Sequence, residues 1–265
     1  MIGRDIDEAG DDVVALAGLP ADTSLRHIPL ACGEHLLLLV VRCENESDGQ
    51  LTTEAGLLTK TASDWVAAAP QPCGGLLPVV TVPLYGCHVA VTPGRAAVLG
   101  PPARLDGLAA AVIEFANREA ELRQLERRCT DLLESLNDDA HHAFQFDTQS
   151  LGHRDMLAAR FREAVAVRVQ LALAAPTVHA AAVHPPTLAS QLGERLRDRT
   201  RLVERHEFAI ERAELAERFY EASGQRAADF GIARRQMGLE WAIVVLLVIQ
   251  TVLLIIDILA GRAAT

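Results

Sequence analysis

Cysteine and histidine occur close together at two places, which gives the sequence its best candidate for metal chemistry. Cys32 and His35 are separated by two residues, and Cys87 is followed directly by His88. Two thiolates and two imidazoles could hold a zinc ion in tetrahedral geometry. Neighbouring residues on a strand point to opposite faces, however, so Cys87 and His88 could not both turn toward one ion. All four are therefore weak metal candidates, and we expect the two cysteines to be small core residues.

The remaining candidates for chemistry do not form a recognisable catalytic site. His141, His142 and His153 lie in a polar region without a cysteine partner, and surface positions explain them. The sequence has no phosphate-binding loop, no Gly-x-Ser-x-Gly, no His-Glu-x-x-His and no Cys-x-x-Cys. We expect no catalytic residues and no cofactor, and therefore no enzyme.

A run of charge at helical spacing is a further candidate for binding. It consists of Arg201, Glu204, Arg205 and Glu207. A solvated helix face with ion pairs four residues apart accounts for such a run without any ligand.

The elements that must position the cysteines and histidines form a small mixed α/β domain at residues 25–101. Short apolar runs predict five strands, at Ile28–Ala31, His35–Cys43, Leu77–Val82, Tyr85–Val91 and Ala96–Leu99. A helix is expected from about Thr53 to Ala68, and Thr92-Pro-Gly-Arg95 predicts a hairpin turn. Residues 1–24 are acidic and are expected to form a mobile tail.

Residues 102–238 read as long antiparallel helices, so the fold class is α+β with one further C-terminal transmembrane helix. The first helix shows apolar residues in steps of three and four, interrupted by Glu119, which predicts a buried coiled-coil-like row. The members of this row are Leu105, Leu108, Val112, Phe115, Leu122, Leu125, Cys129, Leu132 and Leu136.

Proline, glycine and asparagine predict where these helices end. Asn137-Asp138-Asp139 should break the first helix, and Pro176 should stop a second that runs from about Arg154 to Leu173. A third helix is expected from Thr187 to about Ala222, where Ser223-Gly224 would end or kink it.

The apolar stretch Leu239–Ala260 predicts a transmembrane helix. About 20 residues of helix span roughly 30 Å, the thickness of the hydrocarbon core of a bilayer. Arg234, Arg235, Glu240 and Trp241 precede the stretch at the expected membrane interface. Residues 261–265 form a short tail.

Two polar residues interrupt the predicted span and suggest that it joins subunits. Gln250 lies near the expected middle of the bilayer, and Leu254 and Asp257 follow at steps of four and three, on one stripe of the helix. Polar groups within a membrane usually face another helix. We therefore expect a homo-oligomer in which this stripe contacts a second copy. The alternative is that Asp257 reaches toward the far interface and Gln250 is simply tolerated.

The net charge and the N-terminal sequence indicate where in the cell the protein is located. The formal net charge is −10, which argues against direct binding of nucleic acid. The acidic N-terminus lacks the apolar region of a secretory signal. Together with arginines before the span, this predicts a single-pass protein of the inner (cytoplasmic) membrane of a bacterium, with its N-terminal domain in the cytoplasm and its five cysteines reduced.

The C-terminal half resembles the RMD/YagE-like family, named for being required for meiotic nuclear division. The matching residues are Arg235, Leu239-Glu240-Trp241 and the apolar span after them. The helical segment Pro185–Tyr220, rich in Glu and Arg, and the α+β region with its long helix at Tyr85–Glu126 are similar to the family in order. The eukaryotic members are mitochondrial inner-membrane proteins linked to organelle translation. The resemblance implies an assembly or anchoring role and brings no catalytic residues with it.

Two functions from different classes remain open at this point. The first is a membrane-anchored, self-associating scaffold whose protein partner the sequence does not identify. The alternative is a membrane-tethered sensor or binding domain that takes a small ligand or metal in its α+β part. A deep pocket with convergent polar groups within residues 25–101 would favour the sensor. A packed domain beside an apolar helical seam would favour the scaffold.

Overall fold

The computed structural model describes residues 23–43, 53–69, 78–144, 154–180 and 186–263. Most of the expected acidic tail, residues 1–22, lies outside this part. The described residues form an α+β fold with five strands and five helices. The strands are β1 (Thr23–Pro29), β2 (His35–Arg42), β3 (Val80–Leu84), β4 (Cys87–Thr92) and β5 (Arg95–Gly100). The helices are α1 (Thr53–Ala67), α2 (Pro102–Phe144), α3 (Arg154–Val178), α4 (Leu188–Arg199) and α5 (Leu202–Ala263).

The strands form one sheet in the order β1-β2-β5-β4-β3. β2 and β5 pair in parallel, and the other neighbours pair antiparallel. The hairpin expected at Thr92–Arg95 is confirmed, because these two residues pair across a turn in which Gly94 has φ of 84°. The first strand was expected at Ile28–Ala31 but runs over Thr23–Pro29, so the last two residues assigned to the acidic tail belong to the sheet instead.

Both faces of the sheet are covered, which explains why the central strands read as continuous apolar runs. On β2, Leu36 and Leu38 pack toward the core shared with α2 and α4, whereas Leu39 and Val41 pack toward α1. Trp65 of α1 lies in the second core. The alternation of side chains along each strand therefore divides the apolar residues between two helix layers.

Helix α2 does not break at Asn137–Asp139 as expected but continues to Phe144, over 43 residues. The reason lies at Asp139, whose carboxylate is buried and accepts a hydrogen bond from the Tyr220 hydroxyl at 2.9 Å. A polar residue with a partner inside the protein is no longer a signal for a helix end.

Three further helix boundaries differ from the prediction. Pro176 lies inside α3, which continues to Val178, because a proline in the last turn removes little of the hydrogen-bond ladder. The expected single helix after Thr187 is two helices, because Thr200 caps α4 and Arg201 adopts φ of 50° before α5 begins. Helix α5 then passes through Ser223-Gly224 without ending.

Contacts divide the chain into two compact units, residues 1–129 with 167–211 and residues 130–166 with 212–265. In the first unit, Glu126 of α2 binds Arg205 of α5, and Cys129 donates from its thiol to the Ala209 carbonyl. The residue numbers on both helices increase together along these contacts, so α2 and α5 run in the same direction there. Antiparallel neighbours were expected.

Candidate functional site

The structure places Cys87 and His88 on opposite faces of the sheet, as the alternation of β4 requires. The Cys87 thiol lies against Gly100 so closely that a Cβ atom there would come within 2.8 Å of its sulfur. His88 faces α1, with its Nε2 atom 3.4 Å from the Ser63 hydroxyl. Burial raises the pKa of the Cys87 thiol, and Arg104 offsets part of that shift, whereas burial lowers the pKa of His88.

Cys32 and His35 lie at the turn between β1 and β2 and do not join the other two. Cys32 packs against the core shared with α2, and the His35 ring lies 4.6 Å from that of His27. Within the described ranges, no group of three or more His, Cys, Asp or Glu residues is placed to hold a metal ion. The four cysteines in the same ranges are free thiols.

The second histidine group can be placed only in part. His141 is exposed on α2, whereas the His142 side chain and all of His153 lie outside the described part of the chain.

A partly buried ionic cluster is the feature that the sequence pattern missed. Arg205 binds Glu126 through two nitrogens, at 2.9 and 2.6 Å, and binds Glu119 through Nη1 at 2.9 Å. The interpretation of this charge run as a solvated face is therefore wrong for Arg205. The interruption of the α2 row by Glu119 was the signal, since a carboxylate among buried residues needs a partner.

The pKa shifts in this cluster depend on how deeply each group is buried. Burial raises the pKa of Glu119, and the charges of Arg205 and Arg123 offset only part of that effect. Burial alone would lower the pKa of Arg205, but the two carboxylates outweigh it and raise that pKa. Glu119 is the more deeply buried partner, with 12% of its side chain exposed against 29% for Arg205, so desolvation dominates for the carboxylate.

The cluster extends to the turn between β1 and β2. Arg123 of α2 lies 3.5 Å from Glu119 and donates at 3.0 Å to Glu34, which also accepts from Arg127. Three elements, α5, α2 and the β1–β2 turn, are thus joined by alternating charges.

A second buried polar contact lies in the other unit. The Tyr220 hydroxyl donates to Asp139, and Arg160 lies 3.9 Å from the same carboxylate. Burial raises the pKa of Tyr220 to about 12, with the hydrogen bond to Asp139 adding to the shift and Ser135 opposing it. The raised pKa of Tyr220 disfavours the phenolate, the form in which a tyrosine acts as a nucleophile.

An open cleft of about 420 Å³ lies between α2 and α4. Small residues line it, including Gly107 and Gly193, beside Glu114 and Arg197. None of its lining residues belongs to 25–101, where a sensor domain was expected to hold its ligand.

The C-terminal half of α5 carries the largest exposed apolar surface among the described residues. Helix α5 is the one helix in the described ranges that is long and apolar enough to cross a membrane. Its large apolar side chains from Leu239 to Leu253 are 49% to 67% exposed. Trp241, Glu240, Arg234 and Arg235 are exposed as well.

The stripe expected to join subunits is only partly described. Gln250 is exposed on α5, and Thr251 beside it donates from its hydroxyl to the Leu247 carbonyl. The helix backbone continues through Leu254 and Asp257, whose side chains lie outside the described part.

No known family model matches the chain, and no curated protein matches it significantly.

Proposed function

We propose that this protein is a membrane-anchored, self-associating scaffold that performs no catalysis. The observation that carries the proposal is the apolar surface of α5, exposed on every side from Leu239 to Leu253. A helix that is apolar all round requires an apolar surrounding. No other described segment of the chain covers it, and a bilayer supplies the medium that its length fits.

The inner membrane of a bacterium is the proposed location, with the residues before the span in the cytoplasm. Arg226, Arg234 and Arg235 precede the apolar stretch, and positive charge favours the cytoplasmic side. The resemblance of Arg235 and Leu239-Glu240-Trp241 to the RMD/YagE-like family supports an anchoring role.

Self-association is proposed through the span, because the apolar row of α2 is already buried within the chain's own core. Gln250, Leu254 and Asp257 follow one another at steps of four and three, so they share one side of α5. An amide in hydrocarbon is stabilised by a hydrogen bond to another helix. A second copy, inserted in the same direction, presents the same amide at the same depth.

The test is fractionation of the full chain beside a variant that ends at Gly238. The full chain should remain with membranes after alkaline carbonate washing, and the shortened variant should be soluble with an unchanged melting temperature. A shortened variant that still sediments with membranes would contradict the proposal. Energy transfer between labelled full chains in vesicles should fall for Gln250→Leu, and it should not change for Thr251→Leu at the neighbouring position.

A further inference from the structure

Arg234 and Arg235 of α5 lack the carboxylate partner that a surface arginine earlier on the same helix has. Arg218 pairs with Glu214, four residues before it, which is a common way for a helix to neutralise a surface charge. Around Arg234 and Arg235, the positions three and four residues away in both directions hold only glycine and large apolar residues. Both arginines are exposed, and the described residues provide neither side chain with an ion pair or a hydrogen bond. Their guanidinium groups therefore keep all their donors for a partner outside the described chain.

The nearest carboxylates on α5, those of Asp229 and Glu240, face another side of the helix. Each lies five or six residues from the two arginines. With 3.6 residues per turn, both carboxylates are about 120° to 140° around the helix axis from either arginine. Glu240 also accepts a hydrogen bond from Gln236 at 3.4 Å. An anionic group that approaches the side of the arginines therefore meets no carboxylate of α5 there.

The height of the two arginines above the apolar stretch matches the headgroup layer of a bilayer. The stretch begins at Leu239, so at 1.5 Å per residue the backbones of Arg234 and Arg235 stand about 6 to 7.5 Å before it. The headgroup layer on each side of the hydrocarbon core is about 5 to 7.5 Å thick. With Leu239 at the edge of that core, as in the proposed function, both guanidinium groups lie at the level of the lipid phosphates.

Trp241 lies on the same side of α5 as Arg234. Seven residues separate them, which is close to two full turns, so Trp241 lies about 10.5 Å farther along the helix and about 20° around it. Its side chain is 67% exposed. Indole rings favour the boundary between the headgroups and the hydrocarbon. One lipid molecule can therefore contact Arg234 through its phosphate and Trp241 through its glycerol and upper acyl chains.

We propose that Arg234 and Arg235 bind the phosphate groups of anionic phospholipids, with Trp241 contacting the same lipid as Arg234. This rests on the membrane anchor in the proposed function and names the lipid that surrounds it. A guanidinium group can bind phosphate oxygens through two parallel hydrogen bonds. A zwitterionic headgroup carries its own ammonium partner for the phosphate, whereas an anionic headgroup does not. Two unpaired positive charges at this level therefore favour the anionic lipid.

The test measures which lipid lies beside Trp241 in the full chain. The chain is reconstituted into mixed vesicles of phosphatidylcholine and phosphatidylglycerol, in which each lipid in turn carries brominated acyl chains. Bromine quenches tryptophan fluorescence only at short range, and a Trp241→Phe variant supplies the background from Trp65. We expect phosphatidylglycerol to be favoured over phosphatidylcholine by about fivefold.

The arginine variants test whether these two side chains cause the preference. Arg234→Gln with Arg235→Gln should abolish it, whereas Arg234→Lys with Arg235→Lys should keep most of it because the charge remains. The matched control is Arg218→Gln with Arg226→Gln, which removes two positive charges from the same helix. Arg226 lies about 12 Å before Arg234, more than the Debye length of about 8 Å at physiological salt, so this control should keep the preference. Melting temperatures check the folding of every variant.

Three results would overturn the proposal. A preference that survives the double glutamine change, or that the control also loses, would assign it to other residues. Loss of the preference in sodium phosphate, compared with sodium chloride of equal ionic strength, would show that the arginines bind free phosphate instead of a lipid. Entry into the vesicles without a lipid preference would leave the anchor standing and the lipid site wrong. A chain that stays outside vesicles of every composition would contradict the anchor and the lipid site together.

Discussion

The two halves of α5 share one backbone conformation but meet opposite surroundings. In the first half, residues at alternating steps of four and three are buried, and they are Leu202, His206, Ala209, Ala213, Ala216, Tyr220 and Ser223. From Leu239 to Leu253 the residues are almost all apolar, and none is buried. The contrast teaches that apolar content alone does not bury a helix within a protein. A stripe of small and apolar residues packs against neighbours, whereas a helix apolar on all sides needs a different solvent.

The largest expected effect comes from a charge placed in the buried half. Ala213 is fully buried, so Ala213→Asp would confine an unpaired carboxylate and overfill its site. We expect a loss of about 5 kcal/mol in the free energy of unfolding, measured by urea denaturation. Binding to membranes should survive in the same variant. Loss of both properties together would show that the two halves do not act independently.

Removing the central arginine of the partly buried ionic cluster should cost more stability than removing an exposed ion pair on the same helix. Arg205→Ala leaves Glu119 and Glu126 without their shared partner and should cost about 3 to 5 kcal/mol of stability. The matched control is Arg218→Ala, which removes an exposed pair with Glu214 four residues away and should cost under about 0.5 kcal/mol. Similar costs for the two variants, measured by chemical denaturation, would place Arg205 in solvent.

A charge in the apolar half should have the reverse effect of Ala213→Asp. Leu247 is exposed near the middle of the expected span, so Leu247→Asp should disfavour insertion by about 3 kcal/mol. The melting temperature should be unchanged, because no contact within the protein is lost. Fractionation and thermal melting of the same preparation check the two expectations. A lowered melting temperature would mean that this half packs against the protein.

The stability that Tyr220 contributes to the buried half of α5 should depend on pH. Because folding raises its pKa from the ordinary 10 to about 12, the folded protein holds this proton more tightly than the unfolded chain. The resulting stability is complete below pH 10 and is lost as the pH rises toward 12. Tyr220→Phe should cost about 1 kcal/mol at neutral pH and should show a smaller alkaline loss than the wild type. Tyr85→Phe, at an exposed turn, is the control, and an identical alkaline loss in the Tyr220 variant would contradict the assignment.

The second strand, the hairpin turn and the apolar helix were predictable because each depends on local pattern. His35–Cys43 and the Thr92–Arg95 turn carry their strand and hairpin signals within a few residues, and the apolar stretch after Leu239 is defined by its length alone. Long-range partners were not predictable in the same way. Asp139 reads as a helix breaker until Tyr220 is known to bind it, and Arg205 reads as solvated until Glu119 and Glu126 are placed beside it.

The break between α4 and α5 explains why a single helix was wrongly predicted after Thr187. Leu188, Leu192 and Leu196 form one apolar row, and Val203 and Ile210 follow it at steps of seven residues. The backbone turns at Arg201, however, and the buried row restarts at Leu202 and His206. A non-glycine residue at positive φ is uncommon and has no sequence signal of its own. Sequence periodicity therefore cannot reveal a change of phase that one strained residue produces.

The parallel pairing of β2 with β5 sets the order in which the sheet can assemble. The β1–β2, β3–β4 and β4–β5 hairpins each close over a short turn, and hairpins form within microseconds. The β2–β5 pair instead joins Leu37 to Arg95, so the whole of α1 and the β3–β4 hairpin must already lie in the closing loop. Loop closure of that kind slows folding. We therefore expect the hairpins to form before the complete sheet, and the pairing of β2 with β5 to limit the rate at which the sheet forms.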